Sequence, residues 1–80
     1  MKICSYDGRY NIIGKKVRYY REQLGITQEQ LAARMQINGV QLTQKAISRI
    51  ESGERIVTDF ELKAFAPVLK TTYEDLLITE

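Results

Sequence analysis

The stretch that decides the fold is residues 43–53, which read TQKAISRIESG. Thr43 suits a helix N-cap, because its hydroxyl can accept a hydrogen bond from a first-turn N–H that lacks a partner within the helix. Gly53 suits the left-handed residue just beyond a helix C-terminus. Leu42 and Ile47 have the spacing of a hydrophobic staple. The stretch therefore predicts a short helix with both of its ends marked.

The outer face of this helix is polar and contains no carboxylate. At about 100° per residue, Ala46, Ile47 and Ile50 fall on one arc. The opposite arc consists of Gln44, Lys45, Ser48, Arg49 and Ser52. Amides, hydroxyls and cations hydrogen-bond base edges and phosphates, whereas an ordinary solvated face usually mixes in Glu or Asp. The arc indicates a nucleic-acid surface, and a bland surface helix remains the alternative.

Composition limits the classes of protein to which the chain can belong. The chain has 80 residues, 44% of them hydrophobic, which suits one domain with a small core. One cysteine, Cys4, excludes a disulfide framework, and the lack of histidine argues against a zinc site. With no Gly-rich phosphate loop either, we expect no enzyme, no cofactor and no small-molecule ligand. Without an apolar span or signal-peptide core, we expect a soluble cytoplasmic protein.

Charge is distributed unevenly along the chain. Residues 1–49 carry nine Lys/Arg and three Asp/Glu, whereas residues 50–80 carry three Lys/Arg and seven Asp/Glu. This asymmetry predicts one pole that faces a polyanion and another that faces elsewhere, unless it is chance clustering in a short chain.

Residues 1–10 show no helical period and are predicted to form a partly ordered arm, with either a tight turn at Asp7-Gly8 or simple flexibility. Residues 11–80 are predicted to form the domain. Its first helix has Asn11 as N-cap, runs to Leu24 and is ended by Gly25. The second helix, 27–35, begins with a capping box.

The connection from Gln36 to Leu42 carries a turn signal and several apolar residues. Some of these apolar residues should pack on the core. A fourth helix starts at the capping box of Thr58 and should end or kink near Ala66, because Pro67 follows. Thr72 caps a short fifth helix. Its end, Leu76, Leu77 and Ile78, is apolar enough either to close the core or to meet another chain.

Three stretches together resemble the Cro/C1-type (Xre-type) helix-turn-helix family. They are IGKKVRYYREQLGITQEQLA (13–32), TQKAISRIESG (43–53) and VTDFELKAFAPVLKTTYEDLL (57–77). The resemblance implies an all-α, compact five-helix domain like that of the lambda repressor, with the third helix in the major groove of DNA. The turn between helices 2 and 3 is lengthened by about five positions relative to the common pattern. Helix two is therefore extended, or residues 36–42 bulge toward DNA or a partner.

The resemblance also implies roles for individual residues. Base-reading positions are Gln44, Lys45, Ser48 and Arg49, and phosphate-contacting positions are Thr27, Gln28, Thr43 and Arg55. Arg21 and Glu51 match a pair that holds helix three against helix one. Gln44 can pair with adenine, and Arg49 or Lys45 with guanine, while idle exposure is the alternative for each. For Lys45 and Ser48, contact to phosphate is a further alternative.

The function that follows is a sequence-specific, double-stranded-DNA-binding transcriptional regulator, repressor-like and homodimeric on a near-palindromic operator. Leu76, Leu77 and Ile78 are the candidate dimer residues. The alternative is a protein-interaction module of the same fold, antitoxin-like or an adaptor.

Overall fold

Five helices form the molecule, in a computed structural model that describes residue 5 and residues 7–78. They are α1 (Gly14–Gln23), α2 (Gln28–Ile37), α3 (Gln44–Ser52), α4 (Asp59–Val68) and α5 (Tyr73–Leu77). The all-α class and the five-helix order are as predicted. Half of the predicted arm, including Cys4, lies outside the described residues. None of the helices in the described part of the chain has the length and apolar character needed to cross a bilayer.

All five helices contribute to one hydrophobic core. Helix α3 packs against both α1 and α2, α4 packs against α2, and α5 packs against α4 and α1. The fully buried side chains include Val17, Leu31, Met35, Ile47, Ile50, Phe65, Leu69 and Leu76. Because the apolar arc of α3 is covered on two sides, only its polar arc is left to solvent.

The ends of α1 differ slightly from the prediction of residues 11–24. The helix begins at Gly14 and ends at Gln23, with Leu24 as its C-cap residue. The N-cap residue is Ile13 rather than the predicted Asn11, although Asn11 Oδ1 accepts a hydrogen bond from the N–H of Gly14, the first residue of the helix, at 2.7 Å. Gly25 follows with a positive φ of 69°, as a glycine just beyond a helix end should.

The long connection between α2 and α3 is resolved in favour of an extended helix. Helix α2 continues two residues past its predicted end, to Ile37, and is closed by Gly39 at φ 84°. The N–H of Val40 then reaches back to the carbonyl of Met35 at 3.0 Å, as in a Schellman motif. Val40 is buried against the core, whereas Ile37 is 84% exposed.

Helix starts follow the predicted capping residues. Capping boxes at Thr27 and Thr58 are both present, each with its reciprocal side-chain bond. Thr43 and Thr72 cap α3 and α5 through their side-chain oxygens. The start of α3, which matters most for the site, is therefore fixed by a local hydrogen bond.

Helix α4 continues through Pro67 and ends at Val68, two residues beyond Ala66, near which it was predicted to end or kink. Pro67 lacks an N–H, so the carbonyl of Lys63 loses its helical donor. The hydroxyl of Tyr73, on α5, donates to that carbonyl at 3.5 Å. The neighbouring helix α5 thus replaces part of the lost hydrogen bonding, and α4 continues for only one residue after the proline.

Candidate nucleic-acid interface

The polar arc of α3 is open to solvent. Gln44, Lys45 and Arg49 are exposed, and Ser48 is half-exposed. The helix contains a single carboxylate, Glu51, and that side chain is turned inward and only 5% exposed. The outer face therefore offers amide, hydroxyl and cationic groups without an acid among them.

Glu51 is held by α1. Arg21 donates to both of its carboxylate oxygens, from Nε at 2.7 Å and from Nη2 at 3.0 Å. A third bond runs from Arg21 Nη1 to the carbonyl of Ile26 at 2.9 Å. The hydrogen bond to Glu51 raises the pKa of the Arg21 guanidinium, although burial opposes the shift. This is the pair that the family resemblance implies, and it fixes α3 against α1.

The Glu51 carboxylate is connected to the exposed polar face of α3 (the reading face) by hydrogen bonds through two side-chain amides. Gln28 Nε2 donates to Glu51 Oε1 at 3.0 Å, and Gln44 Nε2 donates to Gln28 Oε1 at 2.6 Å. Gln28 and Gln44 occupy the first helical positions of α2 and α3. The chain of bonds Arg21–Glu51–Gln28–Gln44, here called the amide relay, joins three helices. Sequence reasoning missed it, since its members are far apart along the chain.

The helix starts expected to contact phosphate lie next to each other. A shallow depression is lined by Thr27, Gln28, Glu29 and Gln44. The hydroxyls of Thr27 and Thr43 each accept a first-turn backbone N–H at 3.1 Å, so they serve as caps. The remaining first-turn N–H groups of α2 have no partner within the helix and favour an anion.

Arg55 is engaged within the protein more than the sequence suggested. Its Nη1 and Nη2 donate to the two carboxylate oxygens of Glu61 at 2.9 and 3.0 Å. Burial alone would raise the pKa of Glu61, but hydrogen bonds from Arg55 and the Thr58 N–H outweigh it and lower that pKa below its ordinary value. Two of the three guanidinium nitrogens thus stabilise the start of α4.

Residues just before α1 hold the C-terminal end of α3, a role that sequence reasoning did not find. Arg9 Nη2 donates to the carbonyl of Glu51 at 2.8 Å, and Asn11 Nδ2 donates to that of Ile50 at 3.0 Å. The backbone N–H of Tyr10 donates to the carbonyl of Gly53 at 2.7 Å. Carbonyls at a helix end have no helical donors, and a cation there is also favourable for the helix dipole. A separation of about forty residues hides these bonds from any local pattern.

Two glycines make this contact possible. A Cβ atom at Gly14 would collide with the carbonyl oxygen of Ile50. At Gly53, φ is 85° and a Cβ would lie 2.6 Å from the Arg9 guanidinium carbon. The backbone of α1 at Gly14 and the side chain of Arg9 therefore lie directly against the backbone at the C-terminal end of α3.

The three candidate dimer residues divide between core and surface. Leu76 is fully buried and closes the core within its own chain, so it offers no surface to another copy. Leu77 and Ile78 are 42% and 44% exposed. Leu77 also lines an open groove with Tyr10, Ile12, Val57 and Leu62.

Within the described residues, no three His, Cys, Asp or Glu side chains come together in a way that could hold a metal ion. The arrangement on α3 is instead suited to hydrogen bonding and to ion pairing with an anionic polymer.

Comparison with known proteins agrees with this geometry. A search of curated proteins returned no match, and a search of solved structures returned none either. A family model described as "Helix-turn-helix" matches residues 17–76, which span α2 to α4 and most of α1 and α5. The chain therefore belongs to the helix-turn-helix family of Cro/C1 (Xre) type, a family of DNA-binding regulators.

Proposed function

We propose that this chain is a sequence-specific, double-stranded-DNA-binding transcriptional regulator of the repressor-like kind, acting in the cytoplasm as a homodimer. One observation carries the proposal: α3 turns its single carboxylate, Glu51, inward while Gln44, Lys45 and Arg49 remain exposed. An ordinary solvated helix face usually mixes Glu or Asp among its cations, whereas the outer face of α3 has none.

In this proposal α3 lies in the major groove. Gln44 pairs with adenine and Arg49 with guanine, each good pair being worth about 1–3 kcal/mol of discrimination. Lys45 and Ser48 contact either bases or phosphates. The start of α2, at Thr27 and Gln28, faces the DNA backbone.

Thr43 lies beside this backbone site at the N-cap of α3. Arg55 contributes mainly positive charge, since Glu61 takes two of its nitrogens. Its side chain is 32% exposed, and one N–H on Nε and one on Nη2 remain for a contact to phosphate.

A homodimer would place two recognition helices about 34 Å apart on a near-palindromic operator. The molecule measures 31 × 25 × 19 Å, so two copies side by side are commensurate with that spacing. Leu77 and Ile78 supply apolar surface for the contact. Occupation of a promoter would then block or recruit polymerase.

A protein-interaction module of the same fold is the second candidate. It is favoured by Phe60, which is 60% exposed at the start of α4, and by the exposed acids Glu74 and Asp75 on α5. In that case the α4–α5 side would dock another protein, and changes on α3 would leave the activity unaltered.

Selection of bound sites from random duplex DNA tests the proposal. The wild-type chain should enrich sites with approximate two-fold symmetry. Gln44→Ala and Arg49→Ala should each relax base preference at one position per half-site, by about 1–3 kcal/mol. Lys63→Ala, which removes an exposed cation from α4, is the matched control and should leave the preferences unchanged. No enrichment, or the same result for all three variants, would overturn the proposal.

A further inference from the structure

We propose that Glu51, although buried beneath the reading face, sets the direction in which the amide of Gln44 is presented to a base. Glu51 is then a positioning residue for base reading, acting through Gln28. The inference rests on the proposed function, and it concerns the amide relay rather than the exposed side chains.

The direction of the relay begins at the carboxylate. A carboxylate can only accept hydrogen bonds, whereas an amide can present either an N–H or an oxygen. Arg21 already donates to both oxygens of Glu51, and Oε1 also receives Gln28. Gln28 must therefore direct its N–H groups at Glu51.

The orientation of Gln28 then dictates that of Gln44. With its nitrogen directed at Glu51, Gln28 presents its oxygen to Gln44, and the 2.6 Å contact requires an N–H from Gln44. One N–H of Gln44 is spent in this way. Its second N–H and its oxygen remain for DNA.

The second N–H and the oxygen of Gln44 are the donor and the acceptor that adenine requires. A glutamine that donates to N7 and accepts from the N6 amino group reads adenine in the major groove. If the Gln44 amide were reversed, oxygen and nitrogen would exchange places and the order of donor and acceptor along the groove would be inverted. Fixing the amide in one direction therefore fixes which edge is matched.

The relay is anchored at its most buried members. The side chains of Arg21 and Glu51 are 13% and 5% exposed, whereas Gln44 is on the surface. A hydrogen bond to a charged group is worth roughly tenfold more, as an equilibrium ratio, than one between neutral groups. The charged Arg21–Glu51 pair therefore keeps the amides of Gln28 and Gln44 in one orientation.

The test measures base preference with Glu51→Gln. In this variant the residue at position 51 can donate as well as accept, so Gln28 is free to reverse. Preference at the position read by Gln44, identified by Gln44→Ala, should fall by roughly fivefold to tenfold. Preference at the position read by Arg49 should be retained.

Glu61→Gln is the matched control. It makes the same change in the other buried glutamate that forms a bidentate pair with an arginine, but on α4. It should lower stability to a similar degree and leave every base preference intact. If Glu51→Gln weakens binding to all sequences equally and leaves the Gln44 position unchanged, Glu51 is only structural and the inference is overturned.

Gln28→Met keeps the test decisive if Glu51→Gln fails to fold. It interrupts the relay while leaving the Arg21–Glu51 pair in place, and it should produce the same loss at the Gln44 position. In a Gln44→Ala background it should not change base preference further. An unchanged preference in Gln28→Met would overturn the inference alone, whereas a wild-type chain that selects no sequence would overturn the proposed function itself.

Discussion

Gly14 is the residue at which α1 meets the backbone of α3. We expect Gly14→Ala to lower the free energy of unfolding by about 1–3 kcal/mol, because the added methyl group must displace the carbonyl of Ile50. Urea denaturation of the free protein measures the change. Lys15→Ala, at the neighbouring exposed position, should change stability by less than about 0.5 kcal/mol. Equal effects of the two substitutions would show that the close approach at Gly14 has no energetic importance.

Glu61 gives the stability of the protein a defined dependence on pH. Its pKa in the folded state is lowered, so its contribution is present above the unfolded pKa of about 4.3 and is lost as pH falls through the folded value. At neutral pH, Glu61→Gln should lower the free energy of unfolding by about 1–2 kcal/mol, since Arg55 loses a charged partner but its side chain is itself 32% exposed. The difference between wild type and variant should shrink as the pH is lowered below about 4. Denaturation curves that stay equally far apart at acidic pH would contradict this assignment.

At the scale of elements, the short segment before α1 secures the C-terminal end of α3. Asn11 is buried and bonds Ile50 O, Arg55 O and the Gly14 N–H. We expect Asn11→Ala to destabilise the protein by about 2–4 kcal/mol, because three hydrogen bonds, two of them buried, are lost together. Urea denaturation, combined with amide hydrogen exchange in α3, measures the effect.

Asn38→Ala is the control for that prediction. Asn38 is exposed and bonds a single carbonyl, that of Arg34. Its replacement should cost less than about 1 kcal/mol and should leave the exchange rates of α3 unchanged. If Asn11→Ala behaves like Asn38→Ala, the segment before α1 does not hold α3.

What the sequence could predict about these elements was local. Threonine caps, the stripe of Val17 and the glycine after α3 are encoded within a few residues, so the helices were placed within three residues at each end. The course of α4 through Pro67 could not be predicted, because its compensation comes from Tyr73 on another helix. The amide relay and the Arg9 contact were hidden for the same reason, since both depend on how helices pack.

The candidate site shows the same division. Its exposed face could be predicted from the period of α3, because the alternation of Ile47 and Ile50 with polar residues assigns each side chain to an arc. The sequence could not predict which of these polar side chains already have hydrogen-bond partners within the protein. Arg55 was expected at phosphate, yet Glu61 holds it, and Gln28 was expected to act alone, yet it connects Glu51 to Gln44.

At the scale of the whole molecule, the uneven distribution of charge along the chain places exposed cations and exposed acids on different helices. The exposed cations Lys45 and Arg49 lie on α3, whereas the exposed acids Glu74 and Asp75 lie on α5. A polyanion would be attracted to the first side and repelled from the second, more strongly at low salt.

Amide chemical-shift mapping tests the central claim most directly. A short duplex, titrated at low salt so that binding through phosphates suffices, should perturb the amides of residues 43–49 and the start of α2 at Gln28. The amides of α5 should stay unperturbed and so serve as an internal control. Shifts confined to α4 and α5, with none on α3, would contradict the account.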